Sequence, residues 1–172
     1  VLQAMEYARR RHGIQVFVID SLFKCGINPE DLGAQRDLTD KLTTFCNNTG
    51  AHVILVAHSR KTQNGNEFAV PTKADIAGSS DIANGAFNVI IFWRNKLKKR
   101  KLDEARQTNN VEEIAKWMDE PDGKISIDKQ RFGEGEECEV FTWFNRDACQ
   151  FHNRPNTVRP YFRLEAPAPA TA

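Results

Sequence analysis

Ile14-Gln15-Val16-Phe17-Val18-Ile19-Asp20 is a run of β-branched and aromatic side chains that ends in a carboxylate. A near-continuous apolar run without polar alternation reads as a strand buried on both faces, the habit of a central strand in a parallel α/β sheet. Asp20 then stands at the carboxyl end of that strand. Ligands of open α/β sheets bind outside the carboxyl ends of the strands, so the acid is placed to meet a ligand or its metal. The plainer reading is an aspartate that caps the next turn.

A second apolar run, Ala51-His52-Val53-Ile54-Leu55-Val56-Ala57, ends in His58-Ser59-Arg60-Lys61. Between the two runs, Pro29, Glu30 and Asp31 signal a helix start, Leu38, Leu42, Phe45 and Cys46 mark one helical face, and Gly50 ends it. Strand, helix and strand make a βαβ unit with both carboxyl ends on one edge, which predicts that Asp20 and His58 are neighbours. A short helix around Gly78 to Asn84 leads to a third apolar run, Phe87 to Trp93, expected to continue the βα rhythm.

The 172 residues are 40% apolar and 27% charged, which suits one globular domain with a sizeable core. A net charge of +1 means that any affinity for nucleic acid must come from a local patch. Cys25, Cys46, Cys138 and Cys149 form no CxxC pair and no metal-ligand spacing with the four histidines, so they read as reduced thiols. No run approaches the roughly 18 apolar residues of a membrane span, and the expected location is cytoplasmic.

The chain opens in the middle of a helical pattern, Val1 to Arg11, which reads as a piece cut from a longer protein. Residues 62–73 are polar and read as an exposed loop. Arg94 to Lys101 holds six basic residues in eight positions, and residues 94–122 read as a charged helical excursion. Residues 124–128 and 140–144 read as strands joined antiparallel through an acidic glycine turn. The folded domain is expected over residues 1–150. Residues 151–172, rich in Pro and Ala, read as a disordered tail.

In order along the chain stand VFVIDSL, HVILVAHSRK, GSSDIANGAFNVI and ISIDKQRFGEGEE. This series resembles the motifs of RecA-type replicative helicases of the DnaB, Twinkle and phage primase-helicase group, over about residues 1–145. Four motifs in order are far more specific than any one. The resemblance implies a mostly parallel RecA-like sheet flanked by helices, with a C-terminal antiparallel hairpin. It also implies an ATP-dependent DNA helicase that assembles as a homo-hexameric ring, moves on single-stranded DNA and unwinds duplex at replication forks.

Carried over by position, Asp20 would hold Mg²⁺ through water beside an ATP or other NTP, with Ser21 next to it. His58 would sense the terminal phosphate, a role suited to an imidazole that gains or loses a hydrogen bond. Arg60, Lys61 and Lys73 would face single-stranded DNA. Lys129 and Arg131 would reach the nucleotide of the next subunit, with Arg131 as an arginine finger. Alternate strand residues share a face, so these two point the same way. Their plainer reading is a basic pair that discourages sheet-edge association.

The chain departs from the family pattern in several places. It contains no GxxxxGK[ST], so the N-terminal strand, the phosphate-cradling loop and the water-activating glutamate are not in this sequence, and the fragment alone is expected to be inactive. Phe87 stands where the family often has an acid, and Asn84 where it often has Gln, which weakens the phosphate contact assigned to Asn84. Two alternatives remain: a RecA-type recombinase or related ATPase, and a non-catalytic module that binds nucleic acid or assembles a ring.

Overall fold

The computed structural model describes residues 1–28, 30–59, 68–78, 80–132 and 138–155. Helix α1 (Leu2–His12) ends at Gly13, whose left-handed φ of 67° returns its N–H to the carbonyls of Ala8 and Arg9. Strand β1 (Val16–Asp20) follows, then a 3-10 turn (Leu22–Cys25). Helix α2 (Leu32–Thr49) starts where the acids predicted, because the Asp31 side chain accepts from the Ala34 N–H at 2.9 Å. Gly50 closes it, and β2 (His52–Val56) runs parallel to β1, with Val16 opposite His52 and Asp20 opposite Val56.

Leu38, Leu42 and Phe45 of α2, Met5 of α1 and the fully buried Leu22 form the main core. Phe17, Ile19, Val53 and Leu55 pack against it. The opposite face of the pair is bare: Val16 is 56%, Val18 64% and Ile54 45% exposed. Burial of β1 on both faces is therefore corrected, because among the described residues the helices form a layer on one side only.

The parallel rhythm stops at β2. After a short 3-10 turn (Lys73–Asp75) and helix α3 (Ser80–Gly85), the third apolar run forms β3 (Asn88–Arg94), which pairs antiparallel with β4 (Gly123–Gln130) and not with β2. The second sheet runs β3-β4-β5-β6, with β5 (Glu139–Asn145) and β6 (Gln150–His152) both antiparallel to their neighbours. The expected single, mostly parallel sheet is thus a two-stranded parallel sheet beside a four-stranded antiparallel one.

The antiparallel pairing of β3 with β4 lies in their connection. Between β3 and β4 stand two helices, α4 (Lys96–Gln107) and α5 (Val111–Asp119). One helix between strands returns the chain to the starting end and gives a parallel pair. Two helices folded against each other cancel, so the chain re-enters where it left and runs backwards. The base of this hairpin is closed by Asn95 N–H to Asp122 O at 2.8 Å and Asn95 Nδ2 to Pro121 O at 3.0 Å.

Ile76 packs against both cores and ties the sheets to one helical layer. Gly78, at φ 114°, passes so close to the buried Gln35 of α2 that a Cβ would collide with its amide. On the second sheet Val89 and Ile91 are buried under Ala83 of α3. Ile90 and Phe92 are 65% and 54% exposed on the other face, where Phe151 meets Phe92 at 5.3 Å and Phe144 at 4.9 Å between ring centroids. Strand β6 belongs to this sheet, so the tail expected from residue 151 begins too early; residues 156–172 lie outside the described part.

All four cysteines are free. Cys46 is half-buried, and burial pushes its thiol above the usual value, while Cys138 and Cys149 are exposed. A raised thiol value leaves less reactive thiolate at a given pH. In alkylation at mildly alkaline pH, followed by peptide mass mapping, Cys138 and Cys149 should be modified first and Cys46 after them; the reverse order would contradict this packing. No helix among the described residues is long and apolar enough to cross a membrane.

Candidate phosphate site

Asp20 and His58 do lie on one edge. The register sets Asp20, the last residue of β1, opposite Val56, the last of β2, and His58 is two residues farther on. The His58 backbone is fixed by its carbonyl, which accepts from Ala77 N–H at 2.7 Å. Its ring is exposed and takes no backbone carbonyl as partner among the described residues. The Asp20 carboxylate is exposed as well, and the peptide bond that follows it is cis. Ser21 is buried, 5% exposed, and its carbonyl accepts from Lys24 N–H at 2.8 Å.

A single exposed carboxylate suits Mg²⁺, a hard ion that keeps several waters and is held by one or two carboxylates together with substrate phosphates. Among the described residues no group of three or more His, Cys, Asp or Glu side chains could hold a metal alone.

The cations predicted to act together do come together. Lys129 Nζ donates to the carbonyls of Ala83 at 2.9 Å and Asn84 at 2.8 Å, and Arg131 Nη2 donates to Asn84 O at 2.9 Å. Both therefore reach the carboxyl end of α3, where unpaired carbonyls attract positive charge. Arg131 also lies over the Phe87 ring, 5.4 Å from its centroid. The shared face expected of alternate residues is present.

The edge-protection alternative fits poorly. Among the described residues Lys129 pairs with β3, and its ammonium turns in toward the end of α3. Lys73 joins the group from the loop side: its N–H donates to Asp128 Oδ2 at 3.1 Å and its Nζ to Asp128 O at 3.2 Å. Lys129 is held below the ordinary lysine value, first by burial and then by the charges of Arg131 and Lys73. The positive charges of Arg131 and Lys73 thus disfavour the charged form of Lys129, and an anion beside it would favour that form.

Some predicted residues stay apart or unseen. No hydrogen bond or ion pair links Asp20 or His58 to Lys129 or Arg131 among the described residues. Asn84 contributes its backbone carbonyl to the cluster. Arg60 and Lys61 lie outside the described residues. Asp128 and Phe87, which set the positions of Lys73 and Arg131, carry no sequence signal, since each meets its partner across the fold. A cleft of about 440 Å³ between α1 and α2, lined by Leu2, Arg9, Lys41 and Asn48, holds none of the predicted residues.

No protein-family model matches this chain, and none of the curated proteins matches it.

Proposed function

We propose that this chain is part of a RecA-like motor domain, from a ring helicase that moves on single-stranded DNA at the expense of ATP. The observation that carries the reading is that two groups suited to a phosphate stand on different elements, with no bond between them among the described residues: Asp20 and His58 at the ends of the parallel strands, and Lys129 and Arg131 gathered on the Asn84 carbonyl with Lys73 beside them. A catalytic site completed between neighbouring subunits needs such halves on different surfaces. Neither half is complete alone.

In this reading Asp20 orients Mg²⁺ through its water shell, and His58, with its backbone pinned and its ring exposed, reports the terminal phosphate to the loop that follows it. Bound Mg²⁺ offsets negative charge on the nucleotide phosphates. Lys129 and Arg131 leave their own α3 carbonyls or share them to meet the phosphates of a neighbouring subunit. The bare faces of both sheets, at Val16, Val18 and Ile54 and at Ile90 and Phe92, fit a domain whose remaining strand and helices pack there.

The deciding experiment is ATP hydrolysis by a longer chain of this protein that carries a GxxxxGK[ST] loop, with and without single-stranded DNA. Stimulation by the DNA supports the reading, and hydrolysis indifferent to DNA removes the helicase part of it. For the 172-residue chain, which has no such loop, millimolar Mg²⁺-ATP should produce no thermal stabilisation. A rise of several degrees in melting temperature would show a phosphate site that does not depend on the loop.

A further inference from the structure

We propose that the outward face of α4, with Phe68, is a second contact surface for single-stranded nucleic acid. The inference rests on the helicase reading for its ligand and on separate observations for its place. Lys96, Lys99 and Arg100 recur at helical spacing on one exposed face of α4. Lys96 and Lys99 have no ion pair among the described residues. Phe68, at the far end of the loop, comes back onto this helix and lies under the Arg100 guanidinium, 4.3 Å from the ring centroid.

Together they line an open groove of about 370 Å³. Its charge is graded along the helix: cations fill the first turns, while the acids of the groove, Asp103 and Glu104, lie at its far end, Glu104 being paired with Lys101 at 2.8 Å and Arg100 at 3.7 Å. A polyanion therefore meets the Lys96 end first. Arg100 keeps about half of its side chain exposed (51%), which leaves the guanidinium plane available for a base. Bases are available for such stacking in single strands and hidden in duplex, so the surface selects single strands. The helix is also held in place: the buried Lys98 binds the carbonyls at the end of α5, at Met118 and Glu120, so the cationic face keeps a fixed orientation.

Fluorescence anisotropy of the 172-residue chain with a labelled oligothymidine and a duplex of equal length, over a range of salt, tests this. Each phosphate neutralised on a single strand contributes about 0.7 to the logarithmic salt slope, so Lys96→Ala/Lys99→Ala/Arg100→Ala should flatten it by about 2. Phe68→Ala should weaken binding about tenfold with little change in slope, because stacking carries no charge. A loop variant, Arg60→Ala/Lys61→Ala, separates the two ideas. If it flattens the slope and the α4 variant does not, the α4 surface is wrong and the helicase reading stands. If the α4 variant flattens it and the loop variant does not, α4 is supported and the loop assignment falls. Binding of duplex as tight as single strand, or no binding of oligothymidine even at low salt, overturns the proposal.

Discussion

Arg131→Ala, in rings assembled from longer chains that carry the phosphate-binding loop, is expected to lower DNA-stimulated ATP hydrolysis by about 10³-fold or more, the range of arginine fingers in phosphoryl transfer. The fold should survive the change. Arg131 is exposed, and among the described residues its side chain makes a hydrogen bond to Asn84 O and a contact with the Phe87 ring. Nucleotide binding and ring formation should therefore stay largely intact. Arg131→Lys should not restore the rate, because a point charge lacks the planar fork that binds a phosphoryl group from two sides. Mixing is the decisive measurement. Subunits with Arg131→Ala and subunits with Asp20→Asn are each inactive, yet a mixed ring places an intact arginine beside an intact carboxylate at some interfaces, so activity should partly return. If mixed rings form, checked by mass, and no ratio recovers activity, Arg131 does not act between subunits.

The largest expected effect on stability is at Lys98. In the sequence it is one of six cations in a basic run that reads as solvated. In the fold it is 6% exposed, and its Nζ meets Glu120 O at 2.7 Å, Met118 O at 3.4 Å and the Asp122 carboxylate at 2.8 Å. One side chain thus clamps α4 to the end of α5 and to the turn into β4. Lys98→Met keeps the apolar stem but leaves two carbonyls and a carboxylate without their cation. Breaking a buried pair by removing one partner costs about 3–5 kcal/mol. The cost here should fall near 3 kcal/mol, since Asp122 keeps about a third of its exposure and still accepts from Phe144 N–H at 2.9 Å.

For a chain of this size that corresponds to a fall of roughly 6–12 °C in melting temperature. Lys99→Met, one residue along and exposed, should change stability by no more than about 0.5 kcal/mol. Adding Asp122→Asn to Lys98→Met should recover part of the loss by removing the stranded charge. Urea unfolding of the four proteins measures all of this. Equal midpoints for Lys98→Met and Lys99→Met would mean that the clamp contributes nothing.

Strands β1 and β2, helix α2 between its Asp31 cap and Gly50, the helical pair within residues 94–122 and the antiparallel β4 and β5 were all legible in the sequence. Each rests on a signal within a few residues of itself: an apolar run, a cap, a left-handed glycine, a turn. The edge shared by Asp20 and His58 followed from the same local signals, because a strand, a helix and a strand admit one parallel arrangement. Lys129 and Arg131 reach the same carbonyl, as strand alternation predicts, although β4 itself ends at Gln130, one residue before Arg131. These are properties of spacing, and spacing is written in the chain.

Only the tertiary structure decided how the pieces meet. An apolar run states that a strand prefers burial and not which layer buries it, so Val16, Val18 and Ile54 lie bare although their pattern resembles that of a doubly covered strand. The antiparallel pairing of β3 with β4 depended on the return path of the two helices between them, and the sequence of neither strand records that path. Lys98 and Lys99 are identical in composition and differ only in the angle at which each leaves α4, one toward the carbonyls of α5 and the other toward water. The cation cluster likewise exists because β4 passes the end of α3, more than forty residues away in the chain. Local propensity fixes elements at short range, while contacts between distant elements depend on how the whole chain closes.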